Sequence, residues 1–205
     1  MIPQSMNPNP TRMKTTIRLA VFMPLAALLL SGCAAARHTT YIDPQFDFGS
    51  IERVAVIPFE NLSSDQGSGK YVTRLFFTEL LAQKVFDLVE PGEVSAYIAS
   101  HQGMSDKTAE LSIEQIKDMA KSLNVQGIIF GSVGESSELR SGNMSTHVVS
   151  IDARMVNTET GSTVWSSSVN TSGPGVFARL MGIGEKTRGN ASRGAVQKLI
   201  GSLVR

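Results

Sequence analysis

One cysteine, Cys33, stands in 205 residues. A lone thiol excludes an intramolecular disulfide and any multi-cysteine metal site. Histidine is scarce too: His38, His101 and His147 are scattered, and none stands at ligand spacing from another or from Cys33. No zinc or iron site is expected. A surplus of one charge is also missing, since 19 Lys+Arg face 18 Asp+Glu. That balance gives no electrostatic footprint for nucleic acid and no polybasic membrane patch. The Gly-x-Ser-x-Gly elbow does not occur, and no local pattern joins a nucleophile to a base. No catalytic residue, and no enzyme, is predicted.

Nucleotide patterns are incomplete as well. The stretch SSDQGSGKY, Ser63 to Tyr71, lies between an apolar run and a helical pattern, where a phosphate-binding loop would lie. That loop needs Gly five residues before the Gly of Gly-Lys and a hydroxyl residue after the Lys. Ser64 and Tyr71 occupy those two positions, so a polar turn with Lys70 solvated in the first helical turn is expected. MGIGEKTRG has two close glycines but no buried strand before them, and reads as a loop. No nucleotide and no other dissociable cofactor is predicted.

What is present begins at the N-terminus. Lys14 and Arg18 precede an apolar run from Leu19 to Leu30, and small residues follow, which is the pattern of an export signal. The run is about a dozen residues, short of the roughly 20 needed to span a bilayer. Its ending, Leu30-Ser31-Gly32-Cys33, resembles the bacterial lipobox. The resemblance implies cleavage between Gly32 and Cys33, diacylglycerol on the Cys33 sulfur and an acyl chain on the new amine. Several chains at about 0.8 kcal/mol per buried CH₂ would make such an anchor permanent. Ala34 stands where the retention signal of lipoproteins places Asp, which implies sorting to the outer membrane with the domain facing the periplasm. Residues 1–12 are polar and proline-rich, so a start at Met13 gives the more usual signal; finding residues 1–12 in the unprocessed precursor would reject it.

Removal of residues 1–32 leaves 173 residues, enough for one domain with its own core. Arg12, Lys14 and Arg18 go with the signal, so the mature formal charge is −2. Residues 33–50, polar and without a sustained period, are expected to be the lipidated Cys33 and a tether of at most about 60 Å. The domain is assigned to residues 51–205. RVAVIPF, Arg53 to Phe59, is β-branched without alternation, as in a strand buried on both faces. Gly69–Lys84 carries apolar residues at helical spacing. FDLVEP predicts a short strand, and Glu93–His101 a small helix. Ser112 and Gln115 match a capping box before an apolar stripe from Ile113 to Leu123. GIIFGSV, Gly127 to Val133, repeats the buried-strand pattern. Val149 to Met155 alternates apolar with polar, predicting a strand with one wet face, and Thr163–Thr171 returns as its hairpin partner. A short helix over Val176–Ile183 and a last helix from about Ser192 to Leu203 complete the pattern. The expected fold class is a single three-layer α/β domain, with a mixed parallel and antiparallel sheet flanked by helices and a C-terminal helix.

The motifs VAVIPFENLSS, FDLVEPGEV, AKSLNVQGIIFGSV and VNTETGSTVWSSS, taken in this order, resemble the curli-secretion lipoproteins of the CsgG type. They equally resemble the related penicillin-binding-protein activators of the LpoB type. The resemblance covers roughly Ile51–Thr171 and implies a periplasmic, non-enzymatic domain that works by protein contact. Two departures bear on it. The connection Glu135–Ser145 is 11 residues long and rich in Ser, Gly and Glu, too little for a membrane-spanning hairpin; the second candidate, Ser172–Asn190, is broken by Pro174. The short tether also keeps the domain near the outer membrane, whereas an activator must reach a synthase in the inner one.

The expected function is that of an outer-membrane lipoprotein serving as accessory or scaffold in assembly or secretion of an envelope structure. An oligomeric secretion-pore subunit and a synthase activator are the alternatives. Its partners would be membrane lipid through Cys33, envelope proteins and further copies of itself. Candidate contacts are Ser150, Asp152, Arg154 and Trp165 on the wet hairpin, and the loop from Asn61 to Lys70. Trp165, the single Trp, reads either as an aromatic covering the sheet or as an interface anchor.

Overall fold

The computed structural model describes residues 37–101, 111–141, 144–171 and 187–204. Gly32, Cys33, the signal sequence and the predicted helix Val176–Ile183 lie outside them. The chain enters the sheet earlier than its composition predicts. Arg37–Ile42 forms β1, antiparallel to the strand at Thr163–Asn170, so part of the expected tether is an edge strand. Its sequence, RHTTYI, has no apolar alternation because His38 to Ile42 are all exposed. Backbone pairing holds it, helped by a triangle of bonds among His38 Nε2, Thr40 Oγ1 and Ser167 Oγ at 2.9–3.1 Å.

A 3-10 turn at Phe48–Ser50 leads into β2, Arg53–Val56. β3 is only Glu60–Asn61. Helix α1 runs over Ser68–Gln83, β4 over Asp87–Leu88, and α2 over Pro91–Ser100. Pro91 sits at the helix start, where its missing N–H leaves no bond unmade, and it ends the strand early. Helix α3, Ile113–Leu123, opens on the predicted capping box: Gln115 N–H donates to Ser112 Oγ at 3.3 Å and Ser112 N–H donates to Gln115 Oε1 at 2.9 Å. Then come β5 (Gly127–Ser141), β6 (Met144–Asn157), β7 (Thr163–Asn170) and α4 (Arg188–Leu203).

The strands form one unclosed seven-stranded sheet in the order β1-β7-β6-β5-β2-β4, with β3 beside β5. β2 is parallel to β4 and β5, while β5, β6, β7 and β1 pair antiparallel. The expected fold class, a mixed sheet flanked by helices and closed by a C-terminal helix, is what the chain adopts. α1 and α4 cover one face through Phe76, Leu80, Leu199 and Ile200, against Ile129, Ile151, Met155 and Trp165. On the other face α2 and α3 bring Val94, Ile98, Ile116 and Met119 to Ala55, Ile57, Ile128 and Val156.

The expected polar connection at Glu135–Ser145 is instead the continuation of β5 and β6, paired from Glu135↔Ser150 to Ser141↔Met144. A bulge between Val133 and Glu135 precedes it. Towards its tip Glu138, Leu139 and Arg140 are all exposed, while Ser136, Thr146, Val148 and Val149 along the same stretch are buried. The turn from β6 to β7 is closed by Asn157, whose Oδ1 accepts from the N–H groups of Glu159 and Thr160, both at 2.9 Å, while Gly161 takes the left-handed conformation at φ 72°.

Candidate interaction surface

Side-chain alternation along β6 and β7 sends successive residues to opposite faces. Ile151, Ala153 and Met155 on β6, with Trp165 and Val169 on β7, face α4 and are buried. Ser150, Asp152 and Arg154, with Ser166 and Ser168, take the other face. α2 and α3 stop short of most of this region, reaching β6 only at Val156. The register sets the open face in rows. One runs Phe130, Arg154, Ser166, Tyr41, and the next runs Ser132, Asp152, Ser168, Thr39. Ser150 begins a third row beside Asn170. A depression of about 220 Å³ lies among Glu60, Phe130, Ser132, Asp152, Arg154 and Ser166.

Arg154 organises that depression. Its guanidinium carbon stands 4.9 Å from the centre of the Phe130 ring, and Nη1 donates to Thr163 Oγ1 at 3.5 Å, the long end of such a bond. Burial pushes its pKa below the ordinary arginine value. A guanidinium begins so far above neutrality that the side chain stays cationic. Asp152, by contrast, is exposed. The face thus offers a held cation, a solvated anion and a field of hydroxyls.

Trp165 does not belong to it. Its side chain is fully buried, and Nε1 donates to Ser202 Oγ at 3.2 Å. As an exposed anchor it is therefore corrected: it covers the sheet and ties α4 to it. Asn61 is exposed, with its side chain engaged in its own loop. Its Oδ1 accepts from Ser63 N–H at 3.1 Å, Ser63 Oγ at 2.8 Å and Ser68 Oγ at 2.7 Å, while Nδ2 donates to the Asp65 carbonyl at 3.0 Å. From that exposed position it shapes the loop. Lys70 is exposed in the first turn of α1, as expected, at the mouth of a separate groove.

A cluster that sequence reading missed clamps this loop to the rest of the domain. Ser136 Oγ donates to Asp65 Oδ2 at 2.7 Å and meets His147 Nε2 at 2.9 Å; Arg188 Nη2 lies 3.1 Å from the same Asp65 oxygen. The Arg188 guanidinium also stacks 5.1 Å from the Tyr71 ring centre. Ser136 has one proton and gives it to Asp65, so Nε2 of His147 must carry its own proton and donate. A catalytic serine needs the reverse, an imidazole lone pair aimed at its hydroxyl. Burial pushes the His147 pKa down, and Arg188 adds to this, while Asp65 and Glu138 oppose it. The four residues come from β5, β6, the loop before α1 and the start of α4, separations that no local pattern reveals.

No helix among the described residues is long and apolar enough to cross a membrane. Fold and surface together define an α/β domain whose mixed sheet, among the described residues, is covered by helices on one face and only partly on the other. Among solved structures the chain is similar to the PelC dodecamer from Paraburkholderia phytofirmans, at 15% identity over 82% of this chain and 97% of that one, TM-score 0.57. It is also similar to lipoprotein GNA1162 from Neisseria meningitidis (19%, 64% and 93%, TM-score 0.47) and to the LpoB C-terminal domain from Salmonella enterica (15%, 59% and 82%, TM-score 0.45). At such identities the PelC match shows a shared fold, and the two matches below 0.5 carry nothing further. No protein-family model and no curated protein matches the chain.

Proposed function

We propose that this chain is an outer-membrane lipoprotein, anchored through acylated Cys33, that serves as a non-enzymatic accessory or scaffold in assembling or exporting an envelope structure. The observation that carries the reading is the open face of β6, β7 and β1, with Asp152, Arg154, Ser166 and Ser168 in register and no helix over them among the described residues. Polar faces of this kind, with a held Arg and, two strands away in the same row, the exposed aromatic Tyr41, suit protein contact. Non-enzymatic action is supported by the direction of the Ser136 hydrogen bonds. The anchor is short in this reading: β1 begins at Arg37, and only residues 34–36 separate it from Cys33 in the sequence. That reach favours partners at the outer membrane over a synthase in the inner one.

A second reading makes the chain a ring subunit of an export assembly of the curli-secretion kind. It draws support from the dodecamer named in the PelC match and from the long β5–β6 hairpin. The test is photocrosslinking in intact cells from Ser168, on the open face, beside Lys121, on the exposed side of α3. Adducts of defined mass from position 168 and none from 121 support contact through the open face, with multiples of the chain mass marking the ring. Adducts from 121 alone reject both readings.

A further inference from the structure

A groove of about 640 Å³ opens beside α1, lined by Val56, Pro58, Phe77, Lys70 and Arg74 and closed at one side by the start of α2. Its origin is local. β4 ends after two residues because Pro91 starts α2, so past the Val54↔Leu88 pair no strand among the described residues lies against this side of β2. Val56, Pro58 and the Phe77 ring form an apolar floor. Lys70, Arg74 and Phe77 stand at i, i+4 and i+7 on α1, one stripe of the helix. Both cations are exposed, and neither has an ion pair with a described residue. Lys70 lies in the first turn, where the helix dipole adds positive potential. No carboxylate lines the groove among the described residues.

The hydroxyls at its edge narrow the choice of occupant. Thr73 Oγ1 donates to the Gly69 carbonyl at 2.8 Å and accepts from Phe59 N–H at 2.8 Å, and Ser95 Oγ donates to the Pro91 carbonyl at 2.8 Å. With Thr73 and Ser95 engaged, Thr78 is the lining hydroxyl left to meet a ligand, so amide groups over the apolar floor would be poorly served by side chains. A hydrocarbon carries no such groups, and a single anionic head would meet the two cations. We infer that this groove is a binding site for a long-chain carboxylate, its chain on Val56, Pro58 and Phe77 and its head between Lys70 and Arg74.

The mature full-length chain with Cys33→Ser, which brings no acyl chain of its own, is titrated with dansyl-undecanoic acid and with the uncharged dansyl-undecanol. Saturable binding of the acid at one site per chain is expected, with the alcohol and the Lys70→Gln/Arg74→Gln double variant each weaker by about tenfold or more. The variant's melting temperature, measured beside the wild type, shows that both remain folded; the two substituted side chains are solvent-exposed. No saturable binding, equal binding of acid and alcohol, or undiminished binding by the folded double variant would overturn the assignment.

Discussion

Trp165 and Ser166 are consecutive on β7, yet one is sealed beneath α4 and the other lines the open face. The same division runs along β6, where Ile151, Ala153 and Met155 are buried while Asp152 is exposed and Arg154 half-buried. One ribbon therefore does two jobs. Its covered face holds the domain together through apolar burial, and its open face holds almost nothing but stays in register because the covered face fixes the strands. Contact residues on such a surface are positioned by side chains pointing the other way. Substitutions on the two faces should then have opposite signatures, stability without association on one side and association without stability on the other.

The largest effect is expected from Trp165→Ala, which removes the buried ring and leaves Ser202 Oγ without its indole donor. A loss of about 3–5 kcal/mol is expected, read as a lowered urea midpoint with an unchanged slope. Asp65→Ala, in the clamp, leaves Ser136 and Arg188 without their shared acceptor and should cost about 1–3 kcal/mol in the same measurement. Tyr97→Phe should cost about 1 kcal/mol by removing the 2.8 Å bond to Asp118 Oδ2. Burial, together with that bond and the Asp118 charge, raises the Tyr97 pKa from 10.0 to about 12. The folded state therefore keeps a proton that the unfolded chain loses, and stability should fall as pH rises from 10 to 12, less steeply in Tyr97→Phe.

His147 gives the opposite slope. Its pKa is lowered in the folded state, so the unfolded chain binds the extra proton first and stability falls as pH drops below about 6.5. His147→Gln, which keeps a donor for Ser136, should flatten that part of a melting-temperature profile between pH 7 and 5. A profile unchanged by the substitution would show that the clamp does not feel His147. The smallest stability effect belongs to the open face: Asp152→Arg with Ser168→Arg should stay within about 0.5 kcal/mol and remove association.

The layers were legible where burial dictated composition. RVAVIPF and GIIFGSV are mostly apolar because β2 and the start of β5 send side chains into the core on both faces, and the Ser112–Gln115 capping box fell where the sequence put it. β1 was not legible, because an exposed edge strand leaves no apolar period to read. The outer half of the β5–β6 hairpin was missed for the same reason: Ser, Glu and Gly along a two-stranded ladder look like loop. Asp152 and Arg154 could be placed on a wet face from alternation alone. Trp165 could not be assigned, since its odd-numbered face carries Ser167 as well as Val169, and only α4 reveals that this face is the covered one. The Asp65, Ser136, His147 and Arg188 cluster joins residues up to 123 positions apart, a distance at which only the folded chain speaks.

The most direct test of a contact surface on the open face is native mass spectrometry of the detergent-extracted mature protein beside its Asp152→Arg/Ser168→Arg variant, with both melting temperatures recorded. The account predicts a wild type carrying further copies or a bound envelope protein, and an equally stable variant that runs as a single lipidated chain. Identical masses for the two, whether both single or both assembled, would contradict it.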